Sequence, residues 1–183
     1  MFLVEKEVLD KRIKYKKMID DLGYSMEDGI IKRLDDMGFF DAPASTKFHG
    51  NYVGGLFDHS YEVAYQLVRF TKNEGLQWQK DRSPVIVGLL HDLCKADQYV
   101  FTLDGKIVYN QFLELKGHGD KSVILARELY PDLTEEEELC IRWHMGAFDD
   151  KDNWSKYTEA VKQYQNVLWT HTADMFACHV VGC

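Results

Sequence analysis

The chain has 183 residues, 45% of them hydrophobic and 28% charged, with a formal net charge of −8 and a pI near 5.3. That length suits one domain with a sizeable core, and no apolar run approaches the roughly 18–20 residues of a membrane span. The acidic balance argues against a grip on long nucleic acid, which calls for a basic face. A small phosphorylated substrate stays open, because bound cations would restore positive charge locally.

The first residues, Met1 to Glu7, lack a basic stretch followed by an apolar core, so no secretory signal is expected and a cytoplasmic location is the default. An amphipathic helix is predicted over about residues 4–21, carrying Val4, Val8, Ile13 and Ile19. A second follows over about 25–37, with Ser25 as its cap. Pro43 to Gly55 reads as a structured loop. From His59, apolar residues recur at Val63, Leu67 and Phe70, which puts His59 on the inward stripe of a helix.

The next helix is expected to start at a Ser83 cap with Pro84 in its first turn, and its apolar run 85–90 ends in His91-Asp92. Residues 99–109 form the one convincing strand pair, around the turn dipeptide Asp104-Gly105. Helices resume at about 120–130 and stop before Pro131. Thr134 with Glu137 makes a capping box for the helix that leads to His144. A last long helix is predicted over about 156–180, with Val161, Leu168 and Met175 inward. The expected fold is all-α with one small β-hairpin: a single domain over 1–183, divided into a helical extension (1–40) and a metal-binding core (41–183).

Metal-ligand chemistry is concentrated in five phrases: Asp58-His59, His91-Asp92, Gly117-His118, Trp143-His144 and Ala173-Asp174. From His59 to His91, Asp92 to His118, His118 to His144 and His144 to Asp174 the steps are 32, 26, 26 and 30 residues. Each step is about one helix out and back, so successive phrases can face one interior point. Adjacent helical residues diverge by about 100°, so His91 and Asp92 reach one centre only at a helix end. A carboxylate there can bridge two cations, having two oxygens. Imidazole and carboxylate suit Mn, Fe, Co, Ni or Zn, with Mg also admissible, as one ion or two. His171, one turn before Asp174, is expected to orient a ligand, and His49 to line the mouth of the site or pack. His179 has no evident partner. Cys94, Cys140, Cys178 and Cys183 show no C-x-x-C spacing and are expected as free thiols.

The ordered set His59, His91-Asp92, Asp174 resembles the signature of the HD-domain metal-dependent phosphohydrolases. The likeness extends to the phrases 54–60 (Gly-Gly-Leu-Phe-Asp-His-Ser), 89–95 (Leu-Leu-His-Asp-Leu-Cys-Lys) and Gly117-His118. It is nearest to the HD domain of bacterial 3′-to-5′ exoribonucleases, reaching upstream to Pro43-Ala44, His49 and Tyr52, and covers about residues 40 to 180. Those exonucleases carry a separate OB-type domain that has no counterpart in residues 1–40, so processive RNA digestion is not expected. The resemblance implies an all-helical bundle and assigns His59, His91, Asp92 and Asp174 to a first metal. With histidines at His118 and His144 it implies a second metal, with Asp92 bridging.

The chemistry so implied is hydrolysis of a nucleotide or other small phosphoester by a metal-activated hydroxide. Asp92 and Lys95 are the catalytic candidates. Lys95, Lys121 and His49 are candidates for substrate contact, and Phe57, Phe148 and Tyr99 for stacking on a base. Arg142 is expected to point outward. Some two-iron members with the same ligands are oxygenases that cleave C–C or C–P bonds with O2. That activity, exonuclease-like action on short oligonucleotides and non-catalytic nucleotide sensing are the alternatives.

Overall fold

The computed structural model describes residues 2–21 and 29–183, with side chains from residue 10 onward. Eight α-helices and a two-stranded antiparallel sheet make up its regular structure among those residues. None of the helices is long and apolar enough to cross a membrane. Helix α1 spans Phe2–Asp20 and α2 spans Ile30–Asp36. Val4, Val8 and the Ser25 cap fall outside the described side chains.

On α1 the buried stripe is Lys11, Tyr15 and Ile19, an i, i+4, i+8 series, while Ile13 is 56% exposed. The expectation that Ile13 turns inward therefore fails. The stripe contains a lysine and a tyrosine, which a count of aliphatic residues passes over. Tyr15 packs edge-on against Phe39 and Phe40, and its hydroxyl lies 2.9 Å from that of Tyr130. The extension is thereby joined to the core.

Helix α3 (Gly55–Glu74) buries His59, Val63 and Leu67 on the predicted stripe. Helix α4 (Ser83–Leu90) is buried on every side, as a helix apolar all round must be. Its contact with α3 is so close that a Cβ on Gly88 would lie 2.3 Å from Ala64 Cα. Ser83 is not the cap of α4 but its first residue; its hydroxyl instead donates to Glu137 Oε1 at 2.9 Å. After His91-Asp92 comes a 3-10 turn, Leu93–Ala96, and then β1 (Tyr99–Phe101) pairs with β2 (Ile107–Tyr109). Gly105, in the left-handed region at φ +78°, completes the loop closed by the Thr102 N–H to Lys106 carbonyl bond.

Helix α5 runs Gly119–Leu129 and α6 runs Glu135–Trp143. The predicted capping box is present: Thr134 Oγ1 accepts from Glu137 N–H, and Glu137 Oε2 accepts from Thr134 N–H. Glu137 is fully buried, so its carboxylate ties the start of α6 to Ser83 at the start of α4.

The single long last helix is corrected to α7 (Trp154–Gln163) and α8 (Asn166–Phe176), followed by a π-helical turn, Ala177–Val181. Tyr164 is extended between α7 and α8, and Asn166 holds the break by donating to the Gln77 carbonyl and to Glu136 Oε1. The break shifts the register, so Val167 is buried and Leu168 is 46% exposed. No proline or glycine marks it, and its cause is a side-chain bond to a distant segment.

A Gly88→Ala change tests the α3–α4 packing. In an exposed helix the substitution would stabilise by about 1 kcal/mol. Here overpacking wins, and urea unfolding should show a loss of about 2 kcal/mol or more. A stabilised variant would contradict the contact.

Candidate metal centre

His91 and His144 are placed by the same local device. Each is the C-cap of a helix, the apolar α4 and the amphipathic α6, where the last carbonyls lack intrahelical partners. His91 Nδ1 donates to the Gly88 carbonyl at 2.8 Å, and His144 Nδ1 to the Ile141 carbonyl at 2.7 Å. A carbonyl can only accept, so each Nδ1 carries a proton, and in the neutral ring Nε2 presents the lone pair. His59 Nδ1 likewise faces the Cys183 carbonyl at 3.1 Å.

Those Nε2 atoms converge. His59 Nε2 and His91 Nε2 are 3.2 Å apart, and His118 Nε2 and His144 Nε2 are 3.0 Å apart. Between the pairs lies Asp92, buried. Its Oδ2 is 3.5 Å from both His59 and His91 Nε2, and its Oδ1 is 3.0 Å from His118 Nε2 and 3.4 Å from His144 Nε2. Asp174 Oδ1 joins the first pair, 3.2 Å from His59 Nε2 and 3.9 Å from His91 Nε2. All six predicted ligands therefore meet at one place.

Facing lone pairs and carboxylate oxygens repel one another unless a cation lies among them. Asp92 Oδ1 is buried without a hydrogen-bond donor, a defect of about 1–3 kcal/mol if left so. Burial works against the Asp92 charge, yet Lys95, and after it His91, holds its carboxyl well below the ordinary range. Burial also opposes the Asp174 charge, and the imidazoles led by His59 keep that carboxyl low. The donor set of imidazole nitrogen and carboxylate oxygen fits a divalent transition ion. Groups able to hold an ion include His59-His91-Asp174 and His91-Asp92-His144.

Lys95 sits in the 3-10 turn with Nζ 2.6 Å from Asp92 Oδ2 and a side chain only 15% exposed. It is therefore not a solvated helix-end lysine. Its burial opposes its charge, but Asp92 raises its pKa above the usual lysine value. His118 stands at the start of α5, which packs so closely on α6 that a Cβ on Gly119 would lie 2.1 Å from the Arg142 carbonyl. His171 Nδ1 donates to the His144 carbonyl at 2.8 Å, holding the backbone of a ligand as anticipated.

Other expectations need correction. Lys121 is buried, with its Nζ taken by Asp97, so it is neither a surface lysine nor an unengaged donor to substrate. Asp58 turns to Lys11, 2.6 Å away, rather than to its neighbour's cluster. Arg142 is not outside: it lies 4.1 Å over the Trp143 ring and pairs with Asp120 and Asp149. Phe57 is core, Tyr99 is half-buried and Phe148 is exposed.

His49 does approach the centre, its ring centroid 5.1 Å from that of His59. Burial, followed by nearby His59, lowers its pKa. All four cysteines are free. Two of them touch the cluster, which the sequence reading missed: Cys94 Sγ lies 3.2 Å from His118 Nδ1, and Cys178 Sγ 3.4 Å from Asp174 Oδ1. Burial pushes the Cys94 thiol up to about 12. The spacing from Asp174 to Cys178, one helical turn, is the signal that could have found the second.

A helical fold closing on a buried histidine–aspartate cluster defines a helical domain with a group of side chains able to hold a metal ion. The HD domain family model matches residues 56–169, and the chain belongs to that family, whose superfamily is one of metal-dependent phosphohydrolases. The match includes His59, His91, Asp92, His118 and His144, whereas Asp174 lies beyond it and joins the cluster through the fold. No curated protein and no solved structure matches the chain.

Elemental analysis of purified protein tests the ligand assignment. Two ions per chain are expected in the wild type, about one in His118→Ala or His144→Ala, and none in Asp92→Ala with helical content retained. Unchanged stoichiometry in the histidine variants would rule out the second position. Metal content should also fall on acidification, because each ligand must be deprotonated to bind.

Proposed function

We propose that this chain hydrolyses a small phosphoester, in the first place a nucleotide, at a two-ion centre bridged by Asp92. The observation that carries the reading is the division of the Asp92 oxygens between two imidazole pairs, with Lys95 on the same carboxylate. Divalent ions bound there would supply a nucleophile by lowering the pKa of water, and would neutralise phosphate charge.

The protein's own groups do the positioning. His59, His91 and Asp174 form one side of the holder and His118 and His144 the other, with Asp92 common to both. Lys95 is held charged beside the centre, where it stabilises the negative charge that spreads over the phosphoryl oxygens in the transition state. His49, half-buried next to His59, lines the approach. The net charge of −8 favours small substrates over long polymers, and short oligonucleotide ends are the natural extension of the panel.

Lys95 is also what favours this reading over an O2-dependent one with the same ligands. A buried cation against the bridge suits an anionic phosphate.

Release of phosphate, nucleoside or mononucleotide from a nucleotide and oligonucleotide panel, with added Mn, is the test. Activity should require the divalent ion. Lys95→Ala should lower kcat about 10²-fold, the order seen when one preorganised donor is removed, and Lys95→Arg should recover part of the loss. Iron-loaded protein that consumes O2 and hydrolyses no member of the panel would refute the proposal.

A further inference from the structure

The ligand cluster continues past Asp174. Cys178 lies four residues on, where α8 passes into the π-helical turn 177–181, so its thiol stays on the face that carries Asp174. Its Sγ is 3.4 Å from Asp174 Oδ1, the oxygen that faces His59 Nε2, and 3.2 Å from His49 Nε2. One ligand atom each from His49, His59 and Cys178 lie within 4.8 Å of one another. A π-helical turn is rare and frequently lies at a functional site. Here it also brings the Cys183 carbonyl to His59 Nδ1.

The other sulfur near the centre behaves differently. Cys94 meets His118 at Nδ1, while the opposite nitrogen of that ring, Nε2, faces Asp92 Oδ1. Cys94 therefore braces the back of a ligand ring. Cys178 instead meets the front of the cluster, at a carboxylate oxygen and an imidazole nitrogen that can both bind an ion.

We propose that Cys178 is a sulfur ligand at the His59 end of the centre, with His49 beside it, and that this end takes a thiophilic divalent ion such as Zn or Co. The inference rests on the metal-centre reading above and adds to it a soft position next to the all-nitrogen-and-oxygen position at His118 and His144. Thiolate and imidazole together favour Zn or Co, whereas carboxylate and water suit Mg or Mn. On binding, the S–H proton passes to solvent as the sulfur–metal bond forms, and no electron is transferred.

The test uses the full chain, stripped of metal and reloaded with Co(II), read by absorption and by elemental analysis. A sulfur-to-cobalt charge-transfer band is expected in the wild type and in Cys94→Ser, and its absence in Cys178→Ser. Competition with a chromogenic chelator should show Zn affinity lowered about tenfold or more in Cys178→Ser, on the scale of losses around metal sites. His49→Ala should keep the band while binding cobalt more weakly. Cobalt bound without the band, or a band that survives Cys178→Ser or vanishes in Cys94→Ser, would overturn the sulfur ligand and leave the metal centre standing. Failure of the wild type to bind cobalt at all would overturn both.

Discussion

Everything at the centre depends on one constraint: a carboxylate buried among imidazole lone pairs. The backbone imposes it. Two helices end in histidines whose Nδ1–H groups satisfy orphan carbonyls three residues back, at Gly88 and Ile141. That bond makes a stable helix end and also fixes which nitrogen is left to bind. Asp92 follows His91 where α4 gives way to a 3-10 turn, so consecutive residues that would diverge on a helix converge here. The resulting group of like-natured donors is coherent only around positive charge. Lys95 supplies part of it, and Asp92 Oδ1 is still without a donor.

The scaffold can be read as the means of holding those helix ends together. Helix α4 is buried all round and meets α3 at the Gly88–Ala64 contact, which sets His91 beside His59. Buried Glu137 links the starts of α4 and α6, so the two helices that end in ligands are also tied at their beginnings. On the outside of α3, Lys11 of α1 bonds the Gly54 carbonyl and Asp58, clamping the turn that starts the His59 helix. The N-terminal helix thus supports the site through the turn that carries His59.

Much of this was legible in the sequence, for reasons that can be named. The apolar run Leu89-Leu90-His91 reports a buried helix and its C-terminus together, and the stripe Leu139, Cys140 and Trp143 before His144 reports the inward face of another. The spacing of the phrases reports helices that return to one point, and the Thr134–Glu137 box is a local signal read locally. What was missed depends on distant partners. The break at Tyr164–Asn166 is held by Gln77 and Glu136, the burial of Lys121 by Asp97, and the placing of Arg142 by Trp143, Asp120 and Asp149. Ser83 looked like a cap because serine is favoured just ahead of a helix, but Glu137 claims its hydroxyl instead. These errors arose where a polar side chain left its local role for a tertiary one.

The central claim is that the cluster is built around divalent cations and is under electrostatic strain without them. Its most direct test is the melting temperature of metal-stripped protein before and after a divalent ion is restored. An ion at about a hundred times its dissociation constant stabilises the folded state by about 2.7 kcal/mol per site. For a chain of this size that corresponds to a rise of roughly 5–10 °C. The account predicts a rise of at least that order, reversed by chelator. A melting temperature indifferent to both ion and chelator would contradict it.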